Sequence, residues 1–141
     1  MTPDQIARVE ASLLALGPEL DRVAEDFYGR LFAAAPDTRA LFSTDPKIQA
    51  AVFAAELRAT VFLIRDHRAF RNGAANLGSR HHARGVRAAH YRVARPHLLA
   101  ALAHASGDRW SAETEDAWCV AYNLVAELMM QGGATHLSPA R

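Results

Sequence analysis

Seven histidines among 141 residues are the one compositional hint of site chemistry. Two are adjacent, in the run Leu77-Gly78-Ser79-Arg80-His81-His82-Ala83-Arg84-Gly85-Val86. Three more, His90, His97 and His104, recur at a constant interval on one expected helix, so neighbours stand about 10 Å apart along its axis. That is too far to share one ion, and the three read as a solvent-facing stripe. No His-Glu-x-x-His pair, glycine-rich phosphate loop or Cys-x-x-Cys-His attachment motif is present. The single cysteine, Cys119, excludes an internal disulfide and every multi-cysteine zinc pattern, and its neighbours make it a small buried hydrophobe. Taken without its surroundings, a histidine in a weak helix beside a glycine stop is more often a surface group than a ligand.

The elements that must position these groups are all helical. Thr2-Pro3-Asp4-Gln5 is a cap, a proline at the first helical position and a capping-box partner. Ile6, Val9, Leu13 and Leu16 then mark one helix face, and Gly17-Pro18 stops that helix and opens a second. Leu20, Val23, Ala24, Phe27, Tyr28 and Leu31 form a broad stripe ending near Pro36, and a short helical turn is expected from Pro36 to Phe42. Ser43-Thr44-Asp45-Pro46 caps a long helix carrying Ile48, Gln49, Val52, Phe53, Leu57, Val61 and Ile64, and Asp66-His67-Arg68 reads as a polar break. Phe70 to Arg84 reads as less regular, interrupted by Gly73 and Gly78 and closed by Gly85. Further helices run from about Ala88 to Ala105, with Pro96 inside, and from a Ser111 cap to Gly132-Gly133. No strand alternation or internal repeat appears. The fold class is all-α.

Size and charge bound the function. An apolar fraction of 50% and a charged fraction of 22% suit one globular domain that folds without staples. A net charge of +1 supplies no electrostatic footprint for nucleic acid or an anionic membrane. The first ten residues contain no apolar signal core, and no apolar run approaches the roughly 18 residues of a membrane span. The expectation is a soluble, cytoplasmic domain.

The histidine run, with His90-Tyr91 and Leu98-Leu99 after it, resembles the proximal-histidine segment of the globin family, above all bacterial single-domain haemoglobins and the haem domain of flavohaemoglobins. Phe27-Tyr28-x-x-Leu31-Phe32, Pro36-x-x-x-x-Leu41-Phe42 and Asp116-Ala117-Trp118-x-x-Ala121-Tyr122 extend the likeness over nearly the whole chain. The resemblance implies a globin fold of helices A, B, C, E, F, G and H, with residues 1–133 as the haem-binding domain and 134–141 as a disordered tail.

It further implies haem b, with His81 as the iron ligand because it stands four residues before Gly85. Successive helical residues point about 100° apart, so only one of His81 and His82 can face the haem. His81 would bind iron through Nε2 and donate its Nδ1–H to a carbonyl one turn back, near Leu77, which itself lies against the porphyrin. Phe42 matches the phenylalanine packed on the porphyrin. On the distal side Tyr28 and Gln49 match the family's tyrosine–glutamine pair, with Phe53 one turn further; a slip of one residue would put Ile48 in place of Gln49. Tyr91 matches the tyrosine that flavohaemoglobins pair with the proximal histidine, but Gly133 falls where their glutamate would be, which implies a weaker electron push and poorer peroxidase chemistry.

The implied function is reversible binding of oxygen, and of nitric oxide and carbon monoxide. A first alternative is nitric oxide dioxygenation with electrons from an external reductase, since no flavin or nicotinamide module is expected in this chain. A second is a gas sensor or a haem-free interaction module. Monomer and homodimer both remain open.

Overall fold

A computed structural model describes residues 1–137. Six α-helices span them: α1 Pro3–Leu16, α2 Leu20–Ala34, α3 Pro46–Phe62, α4 His67–Ala83, α5 Ala88–Ser106 and α6 Ala112–Leu137. A 3-10 turn, Pro36–Leu41, joins α2 to α3 and occupies the place of helix C in the implied order. No helix among the described residues is long and apolar enough to cross a membrane.

The helix starts follow the local chemistry. Thr2 and Gln5 form the reciprocal capping box, with bonds of 2.9 and 3.1 Å. Asp45 accepts the Lys47 amide at 2.9 Å, and Ser111 accepts that of Thr114 at 3.1 Å. The core joins Val9 and Leu16 of α1, Val23, Phe27 and Leu31 of α2, Ala50 and Ala54 of α3, Leu98 and Leu102 of α5, and Trp118 of α6. Trp118 also donates its indole N–H to Ser12 at 3.1 Å, tying the first helix to the last. Cys119 packs, half-buried, against this core.

Three expectations are corrected. Residues 70–84 are regular: α4 runs unbroken from His67 to Ala83, and the expected break at 66–68 falls instead at 63–66, where Asp66 also caps α4 by accepting the Ala69 amide at 3.1 Å. The glycines that suggested interruption serve the packing of α4 on α6. A methyl at Gly78 would overlap the Met129 carbonyl, and one at Gly132 would overlap that of Ala75. Two backbones this close cannot both carry side chains, so the helix-propensity cost of each glycine, about 1 kcal/mol, is offset by the contact it allows. For the same reason Gly132-Gly133 does not end α6, which continues to Leu137; residues 138–141 of the expected tail lie outside the described residues. The histidine stripe is only partly solvent-facing. His104 is exposed, whereas His90 and His97 are half-buried. His90 accepts the Arg87 amide at 2.9 Å and so closes the first turn of α5.

Two smaller differences are local. Ile64 lies just beyond α3, and α5 continues through the exposed Pro96, which leaves the Arg92 carbonyl without its helical donor.

Replacing Gly78 with alanine should destabilise the fold toward the upper end of the about 1–3 kcal/mol typical of overpacking, because backbone rather than a flexible side chain blocks the methyl. Denaturant unfolding of that variant beside Gly29→Ala, where nothing lies within 4 Å, measures the effect.

Candidate functional site

α2, the 3-10 turn and α3 form one wall of a deep cavity, and α4, α5 and α6 form the facing wall. The cavity holds about 1190 Å³ of open space, mouth included, and its lining is overwhelmingly apolar. Tyr28, Phe42, Phe53, Leu77, His81 and Tyr91 all line it. Six of the seven sequence-derived positions are therefore brought together by four separate helices and one turn. His82 is not on the cavity wall. Its ring packs against Gly133 of α6, where an added Cβ would come within 3.1 Å of the imidazole. The glycine at the expected glutamate position is thus the room that His82 occupies.

His81 is held in one orientation. Its Nδ1–H donates to the Leu77 carbonyl at 2.9 Å, the bond that an α-helix offers a histidine four residues on. That leaves Nε2 as the nitrogen directed to the cavity that His81 lines. Burial holds the imidazole below its ordinary pKa of 6.5, opposed by the Leu77 hydrogen bond, so the neutral, ligating form is favoured near pH 7.

The distal wall is organised around Tyr28. Its ring stands 5.0 Å from Phe27, 5.1 Å from Phe42, 5.6 Å from Phe53 and 5.7 Å from Phe32, centroid to centroid. Arg39 covers the outer side of Phe32 at 4.6 Å. Four aromatic neighbours leave the phenol little freedom, and its desolvation raises its pKa to about 12. Gln49 is buried at 7% exposure, and its amide donates to the Tyr28 oxygen at 3.2 Å. Ile48 is 57% exposed, so the register places glutamine, not isoleucine, inward. Gln49 nevertheless stands behind Tyr28 rather than on the cavity wall, and reaches the site through that hydroxyl. Because the phenol oxygen accepts from Gln49, its own proton is free to be donated toward the cavity.

Tyr91 lines the facing wall, and burial raises its pKa to about 12. Its carbonyl accepts the hydroxyl of Tyr122, a further lining residue, at 2.6 Å, locking α5 to α6 at the cavity wall. Two other lining residues with titratable side chains, His90 and Glu56, were not among the sequence-derived site positions. Glu56 sits one turn beyond Phe53 and two beyond Gln49, a spacing that was visible but unused. Its carboxylate meets Arg80 of α4 at 3.4 Å and bridges the two walls.

A donor set of one oriented imidazole facing a buried phenol, in an otherwise apolar slot, fits a flat, apolar metallocofactor with one protein ligand. It does not fit a metal held by protein alone: among the described residues no cluster of three or more His, Cys, Asp or Glu could hold an ion. The class defined by fold and site is an all-helical haem-pocket protein. The globin family model matches residues 25–129, and the chain belongs to the globin family, whose members bind haem.

Its relatives include a flavohemoprotein of Deinococcus radiodurans, 31% identical over 92% of this chain and 33% of that protein. Leghemoglobin 2 of Sesbania rostrata is 34% identical over 86% of this chain and 90% of its own. Among solved structures, an engineered carbene transferase, derived from a Rhodothermus marinus protein assigned as a nitric oxide dioxygenase, superposes with a TM-score of 0.86 at 26% identity. That match covers 96% of this chain and 94% of the other. The chain spans about one third of the length of the flavohemoproteins it matches.

The depressed pKa of His81 makes haem-free stability pH-dependent. Below about pH 6.5 the unfolded chain takes up a proton that the folded chain refuses, so stability should fall from there toward the folded-state pKa and level out beneath it. Above pH 6.5 this contribution vanishes. Urea midpoints between pH 7.5 and 5 should therefore slope less in His81→Leu than in the parent.

Proposed function

We propose that this globin holds haem b non-covalently and binds oxygen reversibly, with nitric oxide and carbon monoxide as competing ligands. The observation that carries the reading is His81 and Tyr28 on facing walls of one apolar cavity, each with its orientation set by a second residue. When bound, the haem would supply an iron with one open position for a diatomic gas. His81 would ligate it through Nε2, and the Leu77 carbonyl would hold the ring and its tautomer. Phe42 and Phe53 would pack on the porphyrin and keep water out. Tyr28 would donate its O–H to a gas ligand that gains negative charge on binding, and Gln49 would keep that hydroxyl oriented. Such a donor in a dry pocket slows ligand escape, so high oxygen affinity follows. Leu77 and Tyr91 complete the proximal contact surface.

A second reading is favoured by the relatives. The matches to flavohemoproteins and to the Rhodothermus marinus protein support nitric oxide dioxygenation on the same residues. Nitric oxide, oxygen and one electron give nitrate, so each turnover requires a reductase.

The absorption spectrum of the purified, haem-supplied protein tests the reading first: a Soret band is expected, and its absence overturns it. His81→Ala should abolish the five-coordinate ferrous spectrum, and added imidazole should restore much of it. Tyr28→Phe should raise the oxygen off-rate about tenfold, the value of a hydrogen bond worth about 1.5 kcal/mol. Mixing the oxygen-loaded protein with nitric oxide in a stopped-flow instrument separates the two readings. Catalysis requires nitrate to exceed one equivalent once a reductase is added.

A further inference from the structure

A net charge of +1 conceals a segregated distribution. Residues 67–107 carry seven arginines and no aspartate or glutamate, while the rest of the chain has nine basic and fifteen acidic side chains. The cationic stretch is α4, the Gly85 corner and α5, elements of the proximal wall. Arg68, Arg71, Arg80, Arg84, Arg92 and Arg95 are exposed. Of the arginines in this stretch, only Arg80 meets a carboxylate among the described residues, Glu56 at 3.4 Å. Arg87 instead donates to the carbonyls of His82 and Val86, and Arg95 to Asn123. Like charges gathered this way repel one another, and one ion pair neutralises little of that charge, which points to an external surface of opposite sign.

Their position narrows the partner. Arg80 touches Glu56, and Arg87 touches the carbonyl of Val86; both Glu56 and Val86 line the cavity. Arg84, exposed at the C-terminal cap of α4, lies between Arg80 and Arg87 in the chain. Arg80 and Arg87 thus reach the cavity lining, with the exposed Arg84 on the same corner of the chain. No exposed aromatic lies among residues 67–107 to stack on bases or enter a lipid surface; the exposed aromatic side chain, Phe62, is outside that stretch.

We propose that the α4–corner–α5 face is the docking surface for an acidic flavoprotein that donates electrons to the cofactor in the cavity. The proposal rests on the haem reading. One electron leaves the donor's reduced flavin and ferric iron takes it, becoming ferrous; no atom is transferred. Guanidinium groups suit such a surface because each can grip a carboxylate with two parallel N–H bonds, and a ring of them steers encounter.

The test titrates the isotope-labelled full chain with an acidic flavodoxin, following backbone amide signals. Shifts should centre on residues 80–95, and the dissociation constant should rise about tenfold or more between about 20 and 200 mM salt. Arg84→Glu should weaken binding about tenfold and slow flavodoxin-driven reduction of the ferric protein by the same factor, while reduction by a small uncharged reductant stays unchanged. Arg22→Glu, an equal charge change on α2, should leave both within about twofold. Equal loss in the two variants, or shifts centred elsewhere, overturns the proposal. So does a surface that ignores flavodoxin but binds phosphatidylglycerol vesicles or duplex DNA. Failure of the haem reading is seen separately, as a missing Soret band. Salt-dependent shifts at 80–95 in that haem-free chain would retain the acidic partner and remove its electron-donating role.

Discussion

The hydrogen bond from His81 to the Leu77 carbonyl is the interaction on which the site depends. A histidine ring has two nitrogens and several rotamers, and a ligand must present one nitrogen in one direction. The bond fixes both choices, but it exists only because residues 77 and 81 lie on successive turns of an intact helix. That helix needs the Asp66 cap at its start and the glycine-mediated approach to α6 along its back. The orientation of the imidazole is therefore secured by groups with no chemical role of their own.

The facing wall solves a related problem by different means. A tyrosine hydroxyl inside an apolar slot is costly unless bonded, and mobile unless crowded. Tyr28 is both bonded, by Gln49, and crowded, by four rings from α2, α3 and the turn after the 3-10 segment. Between the two walls the fold gives up packing altogether to keep a cavity. What joins them directly at the rim is the Glu56–Arg80 pair, a half-exposed bridge of modest strength. The lining itself is braced from behind, where Trp118 and Tyr122 of α6 reach past the cavity to Ser12 of α1 and the Tyr91 carbonyl of α5.

Charge is distributed to match. Residues 67–107 are arginine-rich and free of acidic residues, whereas all the carboxylates lie in the rest of the chain. The whole-chain value of +1 averages this to near nothing, so composition alone misrepresents the surface.

Most of the architecture was legible in the residues. Caps at Thr2, Asp45 and Ser111 and apolar stripes at helical spacing set the helix starts and inward faces, because these are local effects of backbone hydrogen bonding and side-chain period. That only one of His81 and His82 could line the cavity was legible too, since helical geometry turns adjacent side chains about 100° apart; the choice of His81 came from the family resemblance. Tertiary structure decided what depends on distant neighbours. Gly78 and Gly132 read locally as breaks, and only their crossing shows them to be contact points. Gln49 read as a cavity donor, and only packing reveals that it acts through Tyr28. His82 and Gly133 exchange space across two helices, and Glu56 finds Arg80 across the cavity mouth. Sequence carries what neighbouring residues do to one backbone; which side chains share a volume is known only after the helices have packed.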